Sequence, residues 1–339
     1  MGTDKDWATE SRKIQFTGSS SFVITLPKNW CKRLGLTPGD RLSVTEQPDG
    51  SLQIRAGTQH EPEPKIAEIK IEAHSDPESL RRIFISKYLA GHQIFRFGSS
   101  QSIPMELRRA ITSQAASLLG LEVIEETDKT IEVQDLLSPE ELTVEKAIRR
   151  AHLVASSMYE TALNALETKN RRMAEDVIDR EPSVDRLYFL ILRQLALALQ
   201  NPTMLGNLGI KAVETMDYQM LAKSIERIAD HAFRIGKTIL ETDLEVVEEE
   251  TLSAIVQVGR EANRMNSDAM RAFLAKDVQL ANKAIATRKA TEARIAQLNE
   301  KLIKRQGEGS VNLRIITDSI ERISDYGANI AEIAIDRNR

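Results

Sequence analysis

The chain has 339 residues, 41% apolar and 28% charged, with 46 Lys and Arg against 50 Asp and Glu for a net charge of −4. That length implies two or three domains, and the composition excludes a disordered chain, an overall basic nucleic-acid binder and an acidic solvating tail. A single cysteine, Cys31, excludes an intramolecular disulfide framework and zinc sites of the two- or four-cysteine type.

The opening MGTDKDWATESRK has no apolar run and does not read as a signal peptide. The longest apolar runs, such as LALAL at 195–199, fall far short of the ~18 residues that span a bilayer. A cytoplasmic protein, not membrane-embedded, is expected.

Residues 11–56 alternate as strands do: Ile14 and Phe16, then Phe22, Ile24 and Leu26, then Leu42 and Val44, then Leu52 and Ile54. Asp49-Gly50 between the last two runs signals a hairpin. PKNWCKRLGL reads as a short helix from Pro27 to Gly35, and Pro38-Gly39-Asp40 as a turn. Residues 10–45 carry six basic side chains (Arg12, Lys13, Lys28, Lys32, Arg33 and Arg41) against Glu10 and Asp40. Such a face suits either phosphate backbones or plain solvation. A domain this short has a thin core and calls for a partner copy. GTQHEPEPK, 57–65, reads as a linker.

Residues 66–136 switch between types. IAEIKIEAH, HQIFRFG, LEVIEE and TIEVQDL read as strands, and the runs from Pro77 to Gly91 and from Pro104 to Gly120 as helices. This β-α-β-α-β-β order implies a small α/β domain with helices on one or both faces.

From Leu137 onward apolar residues recur at four-three spacing, as in Leu221, Ile225, Ile228, Ala232, Ile235 and Ile239. A period of about 3.5 marks long helices packed at shallow angles. Breakers at Asn201-Pro202, Thr242-Asp243, Lys276-Asp277 and Gly307–Gly309 divide six helices, roughly 140–168, 171–200, 211–241, 244–275, 277–305 and 310–336. SIERIAD at 224–230 returns as SIERISD at 319–325, so the helical half reads as two copies of a three-helix unit.

Within each copy two carboxylates stand four residues apart: Glu226 with Asp230, and Glu321 with Asp325. Four residues put both on one helix face, here pointing away from the apolar seam. The spacing serves a solvated, salt-bridged helix as readily as half of an oxygen-donor site for Mg²⁺, Mn²⁺ or iron. In the first copy Lys223 and Arg234 neutralise the face, with Arg227 further round. A second helix must complete any cation site. Glu181 and Asp185, also four apart, could supply it or simply favour a helix start at Pro182. The matching positions in the second copy are Arg288 and Glu292. His231 reads as a surface histidine and His152 as a packed one. No Ser/His/Asp set, GxGxxG or GxxxxGK occurs, so the residues make no case for an enzyme.

RKIQFTGSSSFVITLPKNWCKRLGLTPGDRLSV resembles the SpoVT/AbrB swapped-hairpin family through its LPK, LGL and PGD spacing. The resemblance implies an intertwined homodimeric barrel that binds DNA, with Cys31 standing where that family often has arginine. The C-terminal 200 residues, through their two helix triplets and the repeated ERIAD and ERISD, resemble the PhoU family in the arrangement of archaeal PhoU-type proteins. That resemblance implies iron or zinc on the outer faces of the bundles. It makes Glu226, Asp230, Glu321 and Asp325 the metal-ligand candidates, with Glu181 and Asp185 next.

The expected architecture is multidomain. A swapped-hairpin β-barrel at 10–57 is followed by a small α/β domain at 66–136 and by a PhoU-like pair of three-helix bundles at 138–241 and 243–337. The expected function is negative regulation of phosphate uptake, through promoter DNA, a phosphate ABC transporter or a signalling protein. The alternatives are a structural adaptor without DNA binding and a metal-dependent phosphoester hydrolase.

Overall fold

The structure is a computed structural model. It describes residues 10–18, 21–46, 50–56, 64–72, 74–137, 142–201, 204–205, 208, 210–304 and 309–338. Most of the linker, together with Asp49, Pro202 and Gly307, lies outside these. The chain forms two compact units, Met1–Glu63 and Pro64–Arg339.

In the first unit β1 (Gln15–Thr17) pairs antiparallel with β2 (Ser21–Val23), and β3 (Leu42–Glu46) with β4 (Leu52–Ala56). The two hairpins are separate two-stranded sheets. Ile24 and Leu26, expected in the second strand, follow its end. Helix α1 (Lys28–Arg33) starts after Pro27 and ends before Gly35, whose φ of +65° only glycine adopts without strain. Phe16 and Phe22 meet edge to face at 4.5 Å across the first hairpin. No described residue of this unit is buried, and Ile14, Phe16, Phe22, Val44 and Leu52 are each more than half exposed.

The second unit begins with an α/β layer. Strands β5 (Ile66–Ile71), β6 (Ile94–Ser99), β7 (Leu121–Glu126) and β8 (Thr130–Asp135) form a sheet in the order β5-β6-β8-β7. β5 and β6 are parallel, as a helical crossover requires, and the remaining pairs are antiparallel. Helices α2 (Pro77–Leu89) and α3 (Met105–Ala116) cover one face, packing Phe84 against Phe95 and Phe97. The opposite face carries an ion-pair row, Glu68–Arg96–Glu132. Asp76 starts α2 by accepting from the Ser79 N–H at 2.7 Å, with Pro77 in the first turn.

Six long helices follow: α4 (Val144–Glu167), α5 (Arg171–Gln200), α6 (Glu214–Leu240), α7 (Glu249–Ala275), α8 (Val278–Lys304) and α9 (Ser310–Asp336). None is long and apolar enough to cross a membrane. Pro182 neither breaks nor restarts α5, which runs through it as one helix. The proline is exposed, while Val177, Val184 and Leu187 on either side are buried and hold the flanking turns. The helices of each triplet touch one another, and the triplets meet through α6 with α9 and α4 with α7. One apolar core runs from Val144 to Ala334 through all six.

The α/β layer docks on α5. The Arg193 guanidinium, 2% exposed, donates to Asp135 Oδ2 at 2.7 Å and to the Tyr88 carbonyl, and lies 4.6 Å from the Tyr88 ring centroid. Phe189, one turn earlier, packs into the core of the sheet layer.

Candidate metal centre

Helices α5 and α6 lie side by side, and each presents a carboxylate pair at four-residue spacing into the groove between them. Ligand-capable oxygens of Glu181, Asp185 and Asp230 all lie within 4.8 Å of one another. Glu226, one turn from Asp230, faces the same groove and its side chain is only 12% exposed. Helical angle alone places these acids on the outside. Groove walls leave them half-buried instead, because the neighbouring helix covers one side of the face.

Crowding acids in a half-buried groove raises their affinity for protons. Burial, then the charges of Asp185, Asp230 and Glu226, push Glu181 up to about 7. Burial, then the charges of Glu226 and Asp230, push Asp185 up to about 6 against the pull of Lys223. Asp230 is also raised, by burial and by Glu226, against the opposing pull of Arg227.

The neutralising cations differ from expectation. Lys223 donates to Glu226 at 2.8 Å, as its spacing suggests. Arg227, expected further round the helix, reaches back and donates to Asp230 at 2.9 Å. Arg234 leaves the face altogether and lies 3.6 Å from Asp318 of the second triplet. Long side chains span the ~100° between neighbouring helix positions, so helical angle alone misplaces them. Two cations therefore face four carboxylates. Oε2 of Glu226 is buried and accepts no hydrogen bond of normal geometry, although the Lys223 ammonium is within reach. Tyr188 on α5, unnoticed in the sequence, flanks the groove with the Lys223 ammonium 5.0 Å from its ring centroid. Its signal was its place one turn beyond Asp185.

This donor set fits a cation. All four groups are carboxylates, which suits hard oxygen-seeking ions such as Mg²⁺, Mn²⁺ or iron. Deprotonated, the four carboxylates outnumber Lys223 and Arg227 and repel one another, and a divalent ion would relieve that.

The second triplet differs. On α8 Arg288 donates from Nε (3.1 Å) and Nη2 (2.8 Å) to Asp325 Oδ1, and from Nη1 to Glu292 Oε2 at 2.8 Å. Arg322 takes the other Asp325 oxygen at 3.3 Å. Glu321 is raised by burial and by the nearby acids. Among the described residues no group of three metal-binding side chains forms around Glu321 and Asp325.

His231 is half-buried rather than openly exposed. Its Nδ1 is buried without a hydrogen-bond partner, its ring lies 5.9 Å from that of Tyr326 on α9, and burial with Arg234 and Arg322 pushes it down to about 4. The contact of α6 with α9, invisible to single-helix geometry, covers it. His152 is likewise pushed to about 4 by burial.

The six basic residues of 10–45 are all exposed. Lys28, Lys32 and Arg33 lie on α1, Arg12 and Lys13 precede β1, and Arg41 precedes β3. Arg12 is ion-paired with Glu10.

A family profile described as "PhoU domain" matches residues 148–239 and 255–334, just over half of the chain. A second, "Antidote-toxin recognition MazE, bacterial antitoxin", matches residues 15–62. A "Phosphate-specific transport system accessory protein PhoU homolog" of Xylella fastidiosa is 26% identical over 188 residues, 53% of this chain and 76% of that protein. The "PhoU homolog 1" of the same description from Thermotoga maritima is 22% identical over 204 residues, 58% of this chain and 86% of that protein. The crystal structure of PhoU from Pseudomonas aeruginosa aligns with a TM-score of 0.50 at 19% identity, covering 59% of this chain and 98% of that one, a likeness of fold.

Proposed function

This chain belongs to the PhoU family, and from that premise we propose that it is a non-enzymatic, cytoplasmic negative regulator of phosphate uptake whose first helical triplet binds a metal ion. The relatives named as accessory proteins of phosphate-specific transport systems support the regulatory part. Its protein partner is then a phosphate ABC transporter or a signalling protein coupled to one.

The observation that carries the metal reading is the convergence of carboxylates from α5 and α6 on one half-buried groove. Glu181, Asp185, Glu226 and Asp230 would hold the ion. Bound there, a divalent or trivalent cation supplies positive charge and crosslinks the two helices. Lys223 and Arg227 hold Glu226 and Asp230 in place by their ion pairs. Oxygen donors favour Mg²⁺, Mn²⁺ or iron, while the family resemblance points to iron or zinc.

The first unit serves as a homodimer clamp and DNA reader in this proposal. Its exposed Ile14, Phe16, Phe22, Val44 and Leu52 need a cover that the unit does not provide, and a second copy supplies matching apolar surface. The basic residues Arg12, Lys13, Lys28, Lys32, Arg33 and Arg41 then line both halves of a dimer and meet promoter DNA through its phosphates.

Elemental analysis of purified protein tests the metal reading. Metal retained by the parent chain and lost in Glu181→Gln with Asp230→Asn supports it, and an equal content in both removes it. Binding to DNA upstream of phosphate-transport genes at two salt concentrations tests the other arm. Affinity that falls steeply with salt supports DNA reading, and absent binding leaves the unit a clamp.

A further inference from the structure

We infer that the second helical triplet carries its cation built in: the Arg288 guanidinium does for Asp325 and Glu292 what a metal ion does for the carboxylates of the first triplet. This inference rests on the metal reading proposed above.

The repeat supplies the frame. SIERIAD and SIERISD place Glu321 and Asp325 on α9 where Glu226 and Asp230 stand on α6. The helix facing α6 adds two acids, Glu181 and Asp185. The helix facing α9 adds Arg288 and Glu292. Four carboxylates thus meet two cations, Lys223 and Arg227, in the first triplet. Three carboxylates meet two cations, Arg288 and Arg322, in the second.

Geometry separates the two more sharply than charge. Arg288 is held from both sides, with Asp325 at 2.8 and 3.1 Å and Glu292 at 2.8 Å. Arg322 occupies the remaining Asp325 oxygen. Both Asp325 oxygens are therefore engaged by guanidinium N–H groups, and an ion could reach them only by displacing two arginines. A guanidinium stays charged at every physiological pH and cannot be chelated away. The two triplets then answer metal supply differently: the α5–α6 groove gains and loses its cation, and the α8–α9 groove is permanently filled. One position, 288, sets that difference.

The test loads the full chain with Mn²⁺, removes unbound ion by gel filtration, and counts bound metal in the parent, Asp185→Asn with Asp230→Asn, Asp325→Asn, and Arg288→Glu. The expected result is a parent content that disappears in the first-triplet variant, is unchanged in Asp325→Asn, and about doubles in Arg288→Glu. Metal content halved by Asp325→Asn in folded protein, or no gain in Arg288→Glu, overturns the inference. A parent without Mn²⁺ sinks the first-triplet reading. In that case Arg288→Glu still decides the second: metal gained there upholds the role of Arg288, and none gained overturns it. If Arg288→Glu does not fold, Arg288→Gln replaces it. Its melting temperature in chelator should fall below the parent's and, with Asp185→Asn and Asp230→Asn added to silence the first triplet, should rise on adding Mn²⁺; no rise in that triple variant counts against the inference.

Discussion

Arg193 and Asp135, 58 positions apart in the chain, meet at 2.7 Å where the sheet layer rests on α5. The arginine is almost wholly buried and also donates to the Tyr88 carbonyl. Removing one partner of a buried ion pair leaves the other charge desolvated and alone, a loss of about 3–5 kcal/mol. Arg193→Ala should therefore destabilise the chain by about that much in equilibrium denaturation. Amide exchange should quicken first in β8 and α2, which the pair ties down. Arg193→Met with Asp135→Leu should cost less than Arg193→Ala, since neither charge is then stranded.

The acidic groove sets a pH dependence with a definite sign. Glu181 rises from an ordinary 4.5 to about 7 and Asp185 from 3.8 to about 6. The folded chain holds these protons where the unfolded chain has released them. Their contribution to stability is complete below about pH 4 and is lost as pH rises through 6 and 7. Melting in chelator at pH 5.5 and pH 8 should show this as a gap that narrows in Glu181→Gln with Asp185→Asn.

Metal binding runs the other way with pH, because an ion needs the deprotonated carboxylates. Mn²⁺ affinity should fall by roughly tenfold or more between pH 8 and pH 5.5. Calorimetry at pH 6.5 in buffers of different ionisation enthalpy should detect protons released on binding.

Asp230→Asn should have opposite effects on the two forms of the protein. Without metal it removes one of the crowded, half-buried charges, whose burial and Glu226 neighbour already favour the neutral form, and should stabilise the fold slightly despite losing the Arg227 pair. With Mn²⁺ present the parent should overtake it, because the variant has lost a ligand. Melting curves of both proteins with and without Mn²⁺ should cross in this sense.

Gly327 on α9 faces Asn266 on α7, and a Cβ there would run into the asparagine side chain. Asn266 is buried, and neither of its amide atoms has a hydrogen-bond partner. Gly327→Ala should cost about 1–3 kcal/mol through overpacking. Adding Asn266→Ala should recover much of that loss, a coupling that a double-mutant cycle measures.

The helices were legible because a four-three apolar rhythm survives any tertiary detail, and the caps at Pro77, Pro104, Gly91 and Gly120 lie in the sequence itself. The carboxylate pairs were legible as faces but not as a site. Which helix stands opposite Glu226 depends on how α5 and α6 pack, and no local pattern carries that. The same gap misplaced Arg227, Arg234 and His231, whose partners come from side-chain reach or from another helix. Arg193 reads in the sequence as one more charge on a helix and gains its meaning only when the sheet layer closes over it.

The unbroken apolar interior from Val144 to Ala334 limits how this protein can signal. Prising α4–α6 from α7–α9 would bare isoleucine and alanine faces to water, so the ion binding proposed above would act on a stiff block. The proposed cation in the α5–α6 groove would change the electrostatic face of that block rather than its shape. A docking protein would then sense occupancy as an altered charge pattern on an otherwise constant shape.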